Sequence, residues 1–279
     1  MLKTRVVTAL ALLAGFLAML FLLPFSGWLL FASCVAGAGA WEWGGLLKLS
    51  GIRRGTYAGA AFLLCALLGW GIFDVGTGQT LDVPLLIVLL TLAGLFWLLA
   101  VPAWLIRKWS IAASPAGLVA GWVVLIPACL ALMQLRVASP LLLLAVMAFV
   151  WLADIAAYFS GRAFGKHKLA PQISPGKTWE GAAGAAVALV VYCLIVASAA
   201  SLVPSSPAIL LGALVLLECL LAVSILGDLF ESLAKRQAGV KDSGSLLPGH
   251  GGVLDRIDSL TSALPMCGLA LLAWEGRLV

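Results

Sequence analysis

The chain has 279 residues, of which 63% are hydrophobic and only 10% charged, with a mean hydropathy of +1.13. A soluble domain carries about 25% charged residues, so this composition excludes a water-facing surface over most of the chain and makes lipid its main solvent. The net charge of +5 does not point to nucleic acid, because the cations sit in short loops between apolar spans, with no basic tract interleaved with aromatics.

A helix needs about 20 largely apolar residues to cross a bilayer. Nine runs qualify: 6–23, 26–47, 57–73, 83–105, 112–133, 140–160, 179–203, 208–233 and 253–274. The expected fold is all-α, a polytopic integral membrane protein of about nine transmembrane helices in a single membrane domain, 1–279. The first run follows Lys3 and Arg5 as in a signal peptide. Ala38-Gly39-Ala40 and Phe31-Ala32-Ser33-Cys34 resemble processing sites only faintly and lie inside the second run, so the first run reads as an uncleaved span. Only Pro24 to Ser26 divide the first two runs. With nine spans, Arg136 and Arg277 fall on one side and every other member of the 17 Lys and Arg falls on the opposite side. That bias predicts a cytoplasmic N-terminus and an external C-terminus. The six cysteines (Cys34, Cys65, Cys129, Cys193, Cys219 and Cys267) lie singly in apolar runs and read as small buried hydrophobes.

Residues 1–150 carry few intramembrane charges and read as a helical scaffold. Residues 151–279 read as the catalytic half, and residues 151–260 hold Asp154, Glu180, Glu218, Asp228, Glu231, Asp242, Asp255 and Asp258 of the 12 acidic residues. No internal repeat is visible, which counts against an inverted-repeat transporter. Glu218, in an apolar run, and Glu42, between Trp41 and Trp43, receive no role from the sequence.

Three constellations carry chemistry. In the sixth run, Asp154 and Tyr158 share a helix face, and Arg162, Lys166 and Lys168 follow. Lys166 and Lys168 either contact an anion or simply anchor topology. Ser174-Pro175 ahead of Gly176, Lys177, Thr178 and Trp179 predicts a helix start, whose free N–H groups beside Lys177 would suit phosphate. In the eighth run, Ser224, Asp228, Glu231 and Lys235 form one polar stripe. Facing lipid it would cost several kcal/mol per charge, so it must face protein or a wet cavity, or at Glu231 and Lys235 a solvated helix end. In the third, Gly249, Gly251 and Gly252 flank His250 and let backbone approach a ligand closely. Asp255 and Asp258 follow one helical turn apart, with Ser259 and Ser262 continuing their face. Set against Asp228, these carboxylates make a hard oxygen site that suits magnesium. With Lys241 and Arg256 nearby, the pattern suggests phosphoryl or nucleotidyl transfer; the alternative is an ion-pair network tying two helices together. His250 is either a general base or a donor and packing group.

The stretch "SLAKRQAGVKDSGSLLPGHGGVLDRID", Ser232 to Asp258, resembles the signature of the CDP-diacylglycerol synthase, or phosphatidate cytidylyltransferase, family. It departs from that signature at Ala234, where a larger apolar residue is preferred. "SPGKTWEG", Ser174 to Gly181, is similar to the family's upstream motif, and Asp154 to Arg162 to its preceding helix end. The resemblance implies that CTP and phosphatidate are converted to CDP-diacylglycerol and pyrophosphate with magnesium. It also implies a homodimer in the membrane with its site on the cytoplasmic side, in bacteria the inner membrane.

On this reading a phosphatidate oxygen attacks the α-phosphorus of CTP. Asp228 and Asp255 hold magnesium, and Asp258 holds the same ion or a second cation. Lys177, Lys241 and Arg256 neutralise phosphates, while Asp154, Arg162, Ser174, Gly251 and Gly252 help to place CTP. A phosphomonoester's second pKa is about 6, so this nucleophile needs no strong base and His250 is assigned to phosphate contact or structure. The alternatives are a CTP-dependent lipid kinase, which would promote His250 to general base, and a transporter whose buried acids bind a coupling cation.

Overall fold

The computed structural model describes residues 2–112, 114–199, 206–247, 249 and 251–278; His250 lies outside the described residues. Nine long helices follow one another among those residues: α1 (Leu2–Leu22), α2 (Phe25–Leu46), α3 (Gly51–Ile72), α4 (Val83–Arg107), α5 (Pro115–Ala138), α6 (Pro140–Phe164), α7 (Trp179–Ala199), α8 (Pro207–Ala238) and α9 (Leu254–Trp274). Among the described residues seven of them, α3 to α9, are long and apolar enough to cross a membrane. The chain is therefore a polytopic integral membrane protein, almost entirely helical.

Helix starts and stops follow local chemistry. Asp82, Ser114 and Ser139 accept the N–H of Leu85, Gly117 and Leu142 as caps of α4, α5 and α6, each with proline in the first turn. Near its end α4 widens into a π turn at Phe96–Ala100, just before Pro102. Proline lacks the N–H that would bond one turn back, and such turns relieve that break. Gly239 closes α8 in the left-handed region at φ +80, with the N–H of Val240 returned to the Lys235 carbonyl at 3.0 Å.

Small residues let α2 run through the interior. Ala32, Ala36 and Ala40 are fully buried, and at Gly39 a Cβ would stand 2.6 Å from Leu125 of α5. Toward the C-terminal end of α2 an aromatic cluster forms, in which Phe230 of α8 meets Trp43, Phe96, Trp97 and Trp104 at centroid separations of 5.5 to 5.9 Å. The Trp43 indole N–H donates to the Gly117 carbonyl at 2.9 Å. This cluster locks α2, α4, α5 and α8 at the end of the bundle where the polar loops gather.

Two predictions need correction: Cys34 and Cys219 are exposed, not buried, and the predicted helix start is a strand. Residues 174–178 do not begin a helix. They form β2 (Ser174–Thr178), paired antiparallel with β1 (Lys168–Ala170). Two things hold the chain extended: ladder pairing from Lys168 to Thr178, and the Trp179 N–H donated to the His167 carbonyl at 3.0 Å. The cap belongs to Thr178, whose hydroxyl accepts the Gly181 N–H at 3.1 Å. A clasp from His167 Nδ1 to Glu180 Oε1 at 2.6 Å closes the hairpin onto α7. Arg236 of α8 donates to the Ile173 carbonyl at 3.3 Å, and Lys108 bonds Gln172, so the hairpin is pinned from two sides.

Candidate active site

A cavity of about 520 Å³ opens between α6, the hairpin, α7 and α8. Five residues predicted from separate parts of the sequence line it: Asp154, Arg162, Ser174, Lys177 and Asp228. Tyr158, Lys168, Gly176 and Ser224 line it too. α6 and α7 converge here on glycine: a Cβ at Gly181 would stand 2.7 Å from the Ala157 carbonyl, and one at Gly161 would stand 2.9 Å from the Thr178 hydroxyl. The hairpin then carries Lys177 across to α8, where its ammonium meets Asp228 Oδ2 at 2.6 Å. The Ser232 hydroxyl donates to Asp228 Oδ1 at 3.1 Å. Asp228 is thereby fixed at both oxygens, and Lys177 is aimed into the cavity as a placed cation.

How Asp228 reaches α9 is settled by Gly227. A Cβ there would lie 2.5 Å from the Ser262 hydroxyl and 2.7 Å from the Asp258 carbonyl, so only glycine permits this approach. The Ser262 hydroxyl donates to the Val223 carbonyl at 2.8 Å and closes the same contact. Asp258 consequently lies within electrostatic range of both Asp228 and Asp154, and Asp154 lies within range of Lys177. Three carboxylates from three helices thus share one region, with Lys177 in range of Asp154 and Lys235 in range of Asp258.

Asp255 takes a different position. Its Oδ1 accepts from Lys235 at 2.7 Å, and its Oδ2 accepts the N–H of Ser243 at 2.9 Å and of Gly252 at 2.8 Å. Lys235 also pairs with Glu231 one turn earlier on α8. The end of the polar stripe therefore faces protein, not solvent: the Glu231 and Lys235 side chains are 4% and 12% exposed. Gly251 and Gly252 pack against carboxylates of this same chain. Gly251 sits at φ +83, with space for a Cβ only 2.9 Å from Asp255 Oδ2. Lys241 and Arg256 stand exposed on the loop and on the first turn of α9.

The donor set suits magnesium by chemistry: Asp228, Asp255 and Asp258 offer hard carboxylate oxygens beside a cavity lined by Arg162 and Lys177. Among the described residues no three of His, Cys, Asp and Glu form a ready-made cage. Magnesium does not require one, since it takes one or two carboxylates and fills its shell with water and substrate phosphate. Asp255 also braces the loop, through the N–H groups of Ser243 and Gly252.

Beside the cavity lies an apolar groove of about 620 Å³ between the end of α4, the hairpin, α7 and α8. The two share Leu169, Ala182 and Ile225 as a common wall. Leu105, Ile106, Ile173, Leu226 and Leu229 line the groove, with Lys108 and Gln172 at the hairpin. Sequence reading missed it, because its walls are ordinary hydrophobic positions in separate spans.

Comparison with known proteins adds a family. A profile described as "Cytidylyltransferase family" matches residues 3–274. The chain is 42% identical to a phosphatidate cytidylyltransferase of Pseudomonas aeruginosa over 98% of its own length and 97% of that protein. It is 38% identical to a phosphatidate cytidylyltransferase of Haemophilus influenzae, covering 95% and 96%. A Bacillus subtilis protein of the same name is 46% identical over 42% of each chain.

Proposed function

The chain belongs to the cytidylyltransferase family, and from that premise we propose that it transfers CMP from CTP to phosphatidate, giving CDP-diacylglycerol and pyrophosphate. It is a nucleotidyltransferase enzyme set in a membrane. The observation that carries the choice of substrates is the pairing of a cavity lined by Arg162, Lys168 and Lys177 with an apolar groove across a shared wall. A nucleotide and a lipid need those two environments side by side.

CTP occupies the cavity with its phosphates toward Lys177, Lys168 and Arg162. Phosphatidate lays its glycerol and chains along the groove and presents its phosphate over Leu169 and Ile225. A phosphatidate oxygen attacks the α-phosphorus, the bond from that phosphorus to the bridging oxygen breaks, and pyrophosphate leaves with the electron pair. The nucleophile is already an anion, so its proton needs no acceptor, and His250 keeps a contact or structural role. Asp228 holds Lys177 in place, and Lys241 and Arg256 meet the departing pyrophosphate. Asp228 and Asp255, with Asp258 on the same ion or a second cation, would hold magnesium, which when bound would neutralise charge on the phosphates. The site faces the cytoplasm, where CTP is found, and in bacteria the membrane is the inner one. The resemblance adds a homodimer and a second cation to this reading.

The test is incubation of the purified protein with CTP, phosphatidate and magnesium, with both products identified. Pyrophosphate and CDP-diacylglycerol in equal amounts are expected. Release of CDP with a phosphorylated lipid would make the protein a kinase, and absence of either product would refute the assignment.

A further inference from the structure

Glu42 lies on α2, in the scaffold half, and is fully buried. Its carboxylate reaches the start of α9. Oε1 accepts the Val253 N–H at 3.0 Å, and Oε2 accepts the Leu254 N–H at 2.7 Å and the Ser243 hydroxyl at 3.0 Å. The first turn of a helix has N–H groups with no partner inside the helix, normally met by a side chain just before it. Val253 at that position offers none, and Glu42 stands in for it from 212 residues away. A negative charge there also matches the positive end of the helix dipole.

The surroundings are shaped to this carboxylate. A Cβ at Gly244 would stand 2.6 Å from Glu42 Oε1, and one at Gly252 would overlap both Glu42 Oε2 and Ser243 Oγ. Ser243 joins two acids: its hydroxyl donates to Glu42 and its backbone N–H to Asp255. Glu42, Ser243, Asp255 and Lys235 thus form a continuous chain of contacts from α2 through the loop to α8.

We propose that Glu42 is a positioning residue, capping α9 from α2 and so setting the rotation and height at which Asp258 and Arg256 stand against Asp228. It touches neither substrate. The activity readout of the proposal rests on the nucleotidyl-transfer reading, and its structural readout does not.

The variants are Glu42→Gln, which keeps the shape and removes the charge, and Glu42→Asp, which keeps the charge on a shorter stem. Measurements are made on full-length protein in detergent. In Glu42→Gln, amide exchange over 251–258 is expected to rise at least about tenfold, with the other helices unchanged. Turnover is expected to fall at least about tenfold while KM for CTP stays within about twofold, because the CTP contacts lie elsewhere. Glu42→Asp is expected to recover part of both losses. Turnover within about twofold of wild type in Glu42→Gln overturns the proposal. So does faster exchange spread evenly through the bundle, which would mark a merely stabilising residue. Should wild type form no CDP-diacylglycerol, the reaction is refuted, and local exchange at 251–258 still decides whether Glu42 is the cap.

Discussion

At the scale of single residues, Lys177, Asp255 and Asp258 separate into different tasks. Lys177 is a placed cation held 2.6 Å from Asp228. Removing one preorganised donor from a charged reaction costs about 10²-fold or more, so Lys177→Ala should lower kcat/KM for CTP by about that factor in a pyrophosphate-release assay. Lys166, an exposed residue outside the cavity lining, should tolerate alanine with activity within about twofold. Asp255 and Asp258, one turn apart, should fail in different ways. Asp255→Asn leaves Lys235 and Glu231 buried without their third partner, and breaking a buried pair costs about 3–5 kcal/mol. It should therefore lower the melting temperature as well as turnover. Asp258→Asn removes a charge from a crowded carboxylate group. It should leave melting near wild type while raising the magnesium concentration needed for half-maximal rate about tenfold. Equal losses of stability in both would contradict this division. Both aspartates stood out as site candidates from their spacing. Their separate partners were not, because Lys235 and Ser243 reach Asp255 only after α8 and the loop have folded back.

At the scale of elements, two close approaches decide whether the cavity exists. Gly227 sets the distance between α8 and α9. An alanine there would push against the Asp258 backbone, a repacking cost of about 1–3 kcal/mol, and would move Asp228 away from Asp258. Gly227→Ala should melt earlier and lose more turnover than its stability loss explains, as seen by comparing melting curves with rates at a temperature where both proteins are folded. Gly251→Ala meets backbone strain as well, since left-handed backbone costs a residue with a Cβ about 1–2 kcal/mol. The seven helices long and apolar enough to span were legible from hydropathy, because each apolar run must satisfy its own backbone inside lipid. The hairpin was not. Ser-Pro-Gly-Lys-Thr carries helix-start residues, and only pairing with Lys168 to Ala170, across a turn of irregular register, makes it a strand.

At the scale of the whole molecule, the positively charged loops and the site share one end of the bundle, and that end is predicted to face the cytoplasm. Cysteines introduced at Gly176 and Ser245 should react with a membrane-impermeant maleimide only after cells are opened, whereas one at Thr77 should react in intact cells. The reverse pattern would place the site on the outside. Stripping divalent ions with EDTA should abolish turnover, and added magnesium should restore it. Glu42 was illegible in the sequence for a reason that belongs to this scale: its partner amides come 211 and 212 residues later. That separation has a consequence for biosynthesis. During translation α2 inserts early, while the start of α9 leaves the ribosome 211 residues after Glu42. Until then the nascent protein holds an acidic group awaiting its mate in an otherwise nearly finished bundle. The scaffold half thus acts as a template completed only when α9 joins it, and a chain cut short ahead of α9 lacks the amides that Glu42 accepts.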